Sequence, residues 1–329
     1  MQVRNIATKP KDVVFTQSDL VKITKTKTDI YASWTSTKNG SNGIHEHKQH
    51  KMTAIKRTDN IATLKKSFKR NRDIINCNFT GDNNELFLTL TYRDRKRGKD
   101  IKAVNADFDR FVKRIKRKTH VNTASLVWFS ALEPQADGTW HLHCLLKWQD
   151  RKRIFIANAK LAKLWGCGFT KTSAIENVTN IGAYLTAYLT NVIVDSTEEN
   201  KMKESITWTA NHEHMVEKGG RLGYYRAFTH VGRHSRNCKQ PQTFYMSADQ
   251  LNQMVAVEGW QCVGAKSYDL LIPRMNQDDF WISIKQKYYH RDPAITDKVM
   301  LVTRLARQNN QSVTKMLNGK TMLQYLGIS

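Results

Sequence analysis

Trp140-His141-Leu142-His143-Cys144-Leu145-Leu146-Lys147-Trp148 sets the reading of everything around it. Side chains alternate along a β-strand, so two histidines separated by one leucine project from the same face, a two-pronged arrangement suited to a metal ion. Leu142, Cys144, Leu146 and Trp148 take the opposite face, and Leu145 follows the histidines on theirs. A strand with apolar residues on both faces reads as a central one. Histidines in such a strand are either satisfied within the core or bound to something, and the neighbouring sequence has to decide between the two.

Immediately upstream, Thr123 to Glu133 alternates as a second strand, and Pro134-Gln135-Ala136-Asp137-Gly138-Thr139 has the proline and Asp-Gly pair of a hairpin turn. Antiparallel pairing then brings Glu133 beside His141, so that one carboxylate and two imidazoles converge. Further upstream, Leu86 to Tyr92 alternates as another strand. Between the two, Phe108, Phe111, Val112 and Ile115 fall at i, i+3, i+4 and i+7 of a helix whose N-cap is assigned to Asn105. Its outer face carries Arg110, Lys113, Arg114, Lys116, Arg117 and Lys118, a stripe that suits a nucleic-acid backbone and equally suits plain solvation. Strand, helix, strand, strand with an antiparallel hairpin belongs to an α+β fold, a central antiparallel sheet flanked by helices, rather than to a doubly wound parallel sheet.

On either side, Ile61, Leu64, Phe68 and Ile75 mark a basic amphipathic helix, and residues 151–165 mark another, ended by Gly166-Cys167-Gly168 before a short strand over 169–175. Over 177–192, Ile181, Tyr184, Leu185, Tyr188, Leu189 and Val192 trace one helical stripe turned toward the body of the protein. Tyr184 and Tyr188 are four apart, so their hydroxyls point the same way; they are either core aromatics with hydrogen-bonded hydroxyls or a functional pair. Downstream, Lys218 to Arg226 and Gly232 to Pro241 interleave aromatic and basic residues, Arg233, Arg236 and Lys239 among them, as single-stranded nucleic acid requires for stacking and phosphate contact.

The remaining chain divides into a basic N-terminal arm over 1–58, the domain proper over 59–250, and a helical C-terminal region over 251–329 with helices near 297–307 and 313–326. His45, His47 and His50 lie among Gly, Ser and Lys and read as a solvated loop. Asn318-Gly319-Lys320-Thr321 lacks the upstream glycine of a P-loop, which excludes an ATP site there. With 53 Lys and Arg against 29 Asp and Glu, the formal charge of +24 calls for a polyanionic partner, and nucleic acid is the commonest match. No apolar run approaches the roughly 20 residues of a membrane span, and the start lacks the apolar core of a signal peptide, so a cytoplasmic location with no membrane partner is expected. Five widely spaced cysteines argue for reduced thiols.

In order along the chain, Phe87-Leu88-Thr89-Leu90-Thr91-Tyr92, Glu133, His141-Leu142-His143 and Tyr184-x-x-x-Tyr188 resemble the motifs of the HUH rolling-circle replication initiators of plasmid and filamentous-phage Rep type. Ser235 to Pro241 is similar to a Ser-Arg-x-x-Lys-x-Pro-like segment that follows the tyrosine helix in that group. The resemblance covers roughly residues 60–241 and implies an RRM- or ferredoxin-like topology, with His141, His143 and Glu133 as metal ligands and Tyr184 and Tyr188 as nucleophiles. Mixed N/O ligation suits Mn²⁺ and accepts Mg²⁺. Ala187 and Asn191 stand where the family often has lysines, so positive charge near a scissile phosphate has to come from elsewhere.

The implied activity is sequence-specific, metal-dependent nicking of single-stranded origin DNA and strand transfer through a 5′-phosphotyrosine. It would start and end rolling-circle replication of a plasmid, phage or mobile element, with a host helicase as partner. The alternatives are a single-strand DNA transposase with the same chemistry and a non-catalytic basic nucleic-acid-binding protein. The resemblance requires Glu133, the two histidines and at least one of the two tyrosines to meet in space.

Overall fold

The computed structural model describes residues 3–7, 13–17, 19–37, 61–122, 124–135, 137–173, 180–194, 206–208, 215–225, 229–272 and 280–328. In chain order, strands β1 (Val3–Ala7), β2 (Leu20–Lys25) and β3 (Asp29–Thr37) precede helix α1 (Ile61–Asn78) and β4 (Glu85–Leu90). Helices α2 (Arg95–Lys99) and α3 (Ile101–Thr119) lead to the hairpin β5 (Leu126–Pro134) and β6 (Trp140–Trp148), followed by α4 (Asn158–Trp165), β7 (Thr170–Ser173) and α5 (Ile181–Thr190). Next come β8 (Val192–Val194), β9 (Ile206–Trp208), β10 (Met215–Glu217) and β11 (Gly232–His234). The rest comprises β12 (Gln242–Ser247), α6 (Ala248–Glu258), β13 (Gln261–Ile272), β14 (Phe280–His290), α7 (Pro293–Gln308), α8 (Val313–Leu317) and α9 (Met322–Tyr325). The fold is α+β, with antiparallel sheets flanked by helices.

The chain separates into two units, residues 52–240 and residues 1–51 together with 241–329. In the central unit a five-stranded sheet runs in the order β11-β5-β6-β4-β7, every pair antiparallel. Leaving aside β11, the succession β4, α3, β5, β6, α4, β7 is the split β-α-β-β-α-β arrangement, in which β4 and β5 flank β6 from either side. Helix α3 buries Val104, Phe108, Phe111, Val112 and Ile115, worth about 1.5–3 kcal/mol per large side chain. Phe108 packs on Trp128 of β5, and the Trp148 indole of β6 donates to Thr119 at the helix end. Arg114 caps the neighbouring α4 by donating to the carbonyls of Leu164 and Trp165. These contacts place α3 and α4 on the sheet face that carries Trp128, Leu142 and Trp148. Helix α1 and the C-terminal neighbour α5 cover the other face, where Gly182 of α5 fits against Arg72 and Asn76 of α1 because it has no Cβ: one added there would lie 2.4 Å from Asn76 Oδ1.

The helix placed at Asn105 in fact begins four residues earlier. Asp100 caps it, accepting from Lys102 N, and Asn105 lies within the helix and accepts from Arg233. The charged loop over 93–102 contains α2, whose N-cap Asp94 accepts from Lys96 N and Arg97 N.

The terminal pieces, read as an arm and a helical region, build one unit around a six-stranded antiparallel sheet in the order β1-β13-β14-β3-β2-β12. Residues 20–37 are therefore strands rather than a loose arm, with Val21, Ile23, Ile30 and Ala32 in a core shared with Leu251, Trp260 and Tyr289. The region after 250 is only partly helical, since residues 261–290 supply the long hairpin β13–β14. The second terminal helix is two, broken at Asn318 in the left-handed region. No described helix is long and apolar enough to cross a membrane.

Candidate active site

The hairpin fixes the first three groups. Glu133 pairs with His141 and Ala131 with His143 in the β5–β6 register, so all four side chains share one sheet face. Glu133 Oε2 lies 2.7 Å from His143 Nε2 and 3.8 Å from His141 Nδ1. His143 is buried, flanked by Phe87, and its Nδ1 is 3.3 Å from Thr89 Oγ1 on the next strand. His141 is partly open to solvent.

Burial pushes His143 down to about 4, and burial followed by the proximity of His143 lowers His141. The other oxygen of Glu133 is taken by the Arg221 guanidinium, which offsets the carboxylate's charge and leaves no reason for the imidazoles to hold a proton at neutral pH. Neutral imidazoles and an ionised carboxylate are the protonation states a divalent metal needs. The donor set therefore fits a cation of mixed N/O preference. Among the described residues no three such donors stand as a ready-made cage; the carboxylate oxygen itself occupies the point on which the two ring nitrogens converge.

Helix α5 brings the tyrosines to the same face. Its N-cap Asn180 accepts from Ala183 N, and its buried stripe is Ile181, Gly182, Leu185 and Leu189. Tyr184 and Tyr188 lie at the margin of that stripe and are 45 % and 48 % exposed, not turned into the body as the sequence stripe suggested. Tyr188 packs edge-on against the His143 ring at 4.9 Å between centroids, and Tyr184 packs on Phe87 at 6.5 Å. Glu133, His141, His143 and Tyr188 thus form one cluster, with Tyr184 one helical turn away.

Two residues that sequence reasoning missed lock this cluster. Arg221 donates through Nε to Asn191 O and through its backbone N–H to Thr190 O, while its guanidinium meets Glu133. Tyr225, buried, donates its hydroxyl toward both Leu132 O of β5 and Leu189 O of α5. The basic run over 218–226 therefore turns Arg221 and Tyr225 inward, and only Tyr224 of its described aromatics is exposed. The aromatic spacing was the available signal, but nothing local told inward from outward.

The predicted DNA-contact residues scatter. Lys113, Arg114 and Arg117 belong to α3, on the sheet face away from the histidines, and Arg114 is engaged as the cap of α4. Arg233 is tied to Asn105 and Asp109 on that same helix. Arg236 and Lys239 are exposed, while Ser235 is buried, its Oγ accepting from Trp128 N. His45, His47 and His50 lie outside the described residues.

No curated protein and no solved structure matches the chain. Residues 85–192, from the first residue of β4 to just past the tyrosine helix, match a family of replication-associated proteins, the ORF2 type. That segment is about a third of the chain and contains Glu133, both histidines and both tyrosines, and the match supports a replication initiator protein.

Proposed function

We propose that the chain is a metal-dependent, sequence-specific single-strand DNA nickase and strand transferase acting through a 5′-phosphotyrosine to start and end rolling-circle replication. The observation that supports this reading is the meeting of Glu133, His141, His143 and the half-exposed Tyr188 on one sheet face. Mn²⁺ or Mg²⁺ held by His141, His143 and Glu133 would supply Lewis acidity toward the phosphoryl oxygens.

The tyrosine hydroxyl attacks phosphorus; the new Tyr–O–P bond forms as the P–O3′ bond breaks, and the phenol proton is balanced by the proton taken up at the departing 3′ oxygen. The exchange replaces one phosphodiester by another and so conserves the bond for religation. Tyr188, against His143, is the first nucleophile, and Tyr184 receives the strand in the terminating transfer. Arg221 and Tyr225 hold the helix end against β5 and keep the hydroxyls positioned. Strand separation falls to a host helicase.

Nicking of labelled single-stranded origin oligonucleotides, with and without chelator, tests the reading. Cleavage should require Mn²⁺ or Mg²⁺ and fall at least about a hundredfold in His141→Ala and His143→Ala. Chelator-resistant binding with no cleavage of any single strand would overturn it in favour of a non-catalytic binding protein.

A further inference from the structure

The strand β7 forms the outer edge of the sheet that carries the site, and its site face is open. Lys171 pairs with Thr89, which pairs with His143, so one cross-strand row reads Ala131, His143, Thr89, Lys171 on a single face. Lys171 is exposed, and among the described residues it forms no ion pair. Two residues before it, and therefore on the same face, Phe169 presents its ring to solvent at 65 % exposure. The Arg93 guanidinium lies over that ring, 5.8 Å from its centroid.

This edge is firmly built. Thr91 N donates to Phe169 O and Arg93 N to Cys167 O, each at 2.9 Å, extending the β4–β7 ladder past its formal end. The Trp165 indole donates to Thr91 O at 3.0 Å. Gly168 makes the close approach possible: a Cβ there would stand 2.2 Å from Thr91 O and 2.6 Å from Arg93 N. A large aromatic ring held in water by a rigid backbone, with a cation over it and a second cation two residues on, is unfavourable in isolation and complementary to unpaired bases on a phosphate chain.

We propose that Phe169, Arg93 and Lys171 form a single-strand DNA ledge beside the histidine–tyrosine cluster, Phe169 stacking one base while Arg93 and Lys171 contact the flanking phosphates. The proposal rests on the nickase reading for which strand lies there, and it supplies the positive charge that Ala187 and Asn191 do not. Single-stranded DNA is the occupant because a ring face reads exposed bases, which a duplex does not offer; the chain's charge of +24 gives the complementarity.

The test is fluorescence-anisotropy titration of full-length protein with labelled oligothymidylate in chelator, so that no cleavage intervenes. Phe169→Ala should weaken binding about five- to a hundredfold, from the 1–3 kcal/mol that stacking contributes per base, and Phe169→Trp should retain it. Lys171→Ala should lower the slope of log affinity against log salt by about 0.7, the value expected when a single strand has one phosphate fewer neutralised. An affinity for Phe169→Ala within twofold of wild type, with thermal unfolding unchanged, would overturn the ledge; so would an equal loss on duplex DNA. Binding through Phe169 without cleavage by wild type would leave the ledge standing and remove the nickase reading, whereas cleavage with undiminished Phe169→Ala affinity would do the reverse.

Discussion

Replacing Arg221 by alanine removes the only cation on Glu133 among the described residues, and the cost can be worked from burial. The Glu133 side chain is 4 % exposed and that of Arg221 27 %. Breaking a buried pair by deleting one partner costs about 3–5 kcal/mol, because the orphaned charge stays in low dielectric. The partial exposure of Arg221 puts the expectation at the lower end, and removal of the hydrogen bond to Asn191 O adds about 1 kcal/mol. For a unit of this size, a loss of about 3 kcal/mol lowers Tm by roughly 6–12 °C. Glu133→Gln removes the charge instead, so Arg221→Ala in the Glu133→Gln background should cost much less than in wild type, with a coupling of at least about 1.5 kcal/mol. Calorimetric unfolding of wild type, both single variants and the double variant measures it. Additivity within about 0.5 kcal/mol, or an Arg221→Ala Tm within about 2 °C of wild type, would refute the reasoning that Arg221 neutralises Glu133 and thereby keeps the imidazoles free of protons.

Asp107 gives a second test. Burial opposes its ionisation, but hydrogen bonds from Arg97, Arg110 and Tyr92 outweigh it and hold the carboxyl at about 2. Its folded value lies below the unfolded one, so its contribution of about 2 kcal/mol is present above about pH 4 and fades as pH falls toward about 2. Asp107→Asn should lower stability at about pH 6, and the gap to wild type should close near pH 2 in denaturant titrations; a gap independent of pH would contradict this. Gly182→Ala forces a methyl into Asn76 Oδ1 and Arg72 O and should cost about 1–3 kcal/mol while displacing the tyrosines. Gly223→Ala, with open space at its Cβ, should be neutral in the same unfolding and cleavage assays.

The parts legible in the sequence are those whose geometry is local. The meeting of Glu133 with His141 follows from strand alternation and one turn, and the split β-α-β-β core from the order of periodic segments. Other features depended on partners far along the chain. Arg221 reaches Glu133 from 88 positions away, and no spacing rule encodes that. The sheet of the terminal unit pairs β1 with β13 and β3 with β14, so residues at the two ends read as featureless when taken separately. The basic stripe of α3 was readable as a face but not as the face opposite the histidines, because charge is symmetric with respect to which side of a sheet a helix covers. The tyrosines were read as inward because an apolar stripe of Ile181, Leu185 and Leu189 includes its own borders; an aromatic ring on that border packs on one edge and leaves its hydroxyl in water.

The central claim is that a tyrosine of α5 becomes joined to DNA beside the Glu133–His141–His143 cluster. Wild-type protein incubated with single-stranded origin oligonucleotide and Mn²⁺, digested with protease and examined by mass spectrometry, should yield a nucleotide-linked peptide carrying the phosphate on Tyr188, moving to Tyr184 in Tyr188→Phe and vanishing in the double variant. An adduct on a tyrosine outside residues 181–190, or one undiminished when Tyr184 and Tyr188 are both phenylalanine, would contradict the account.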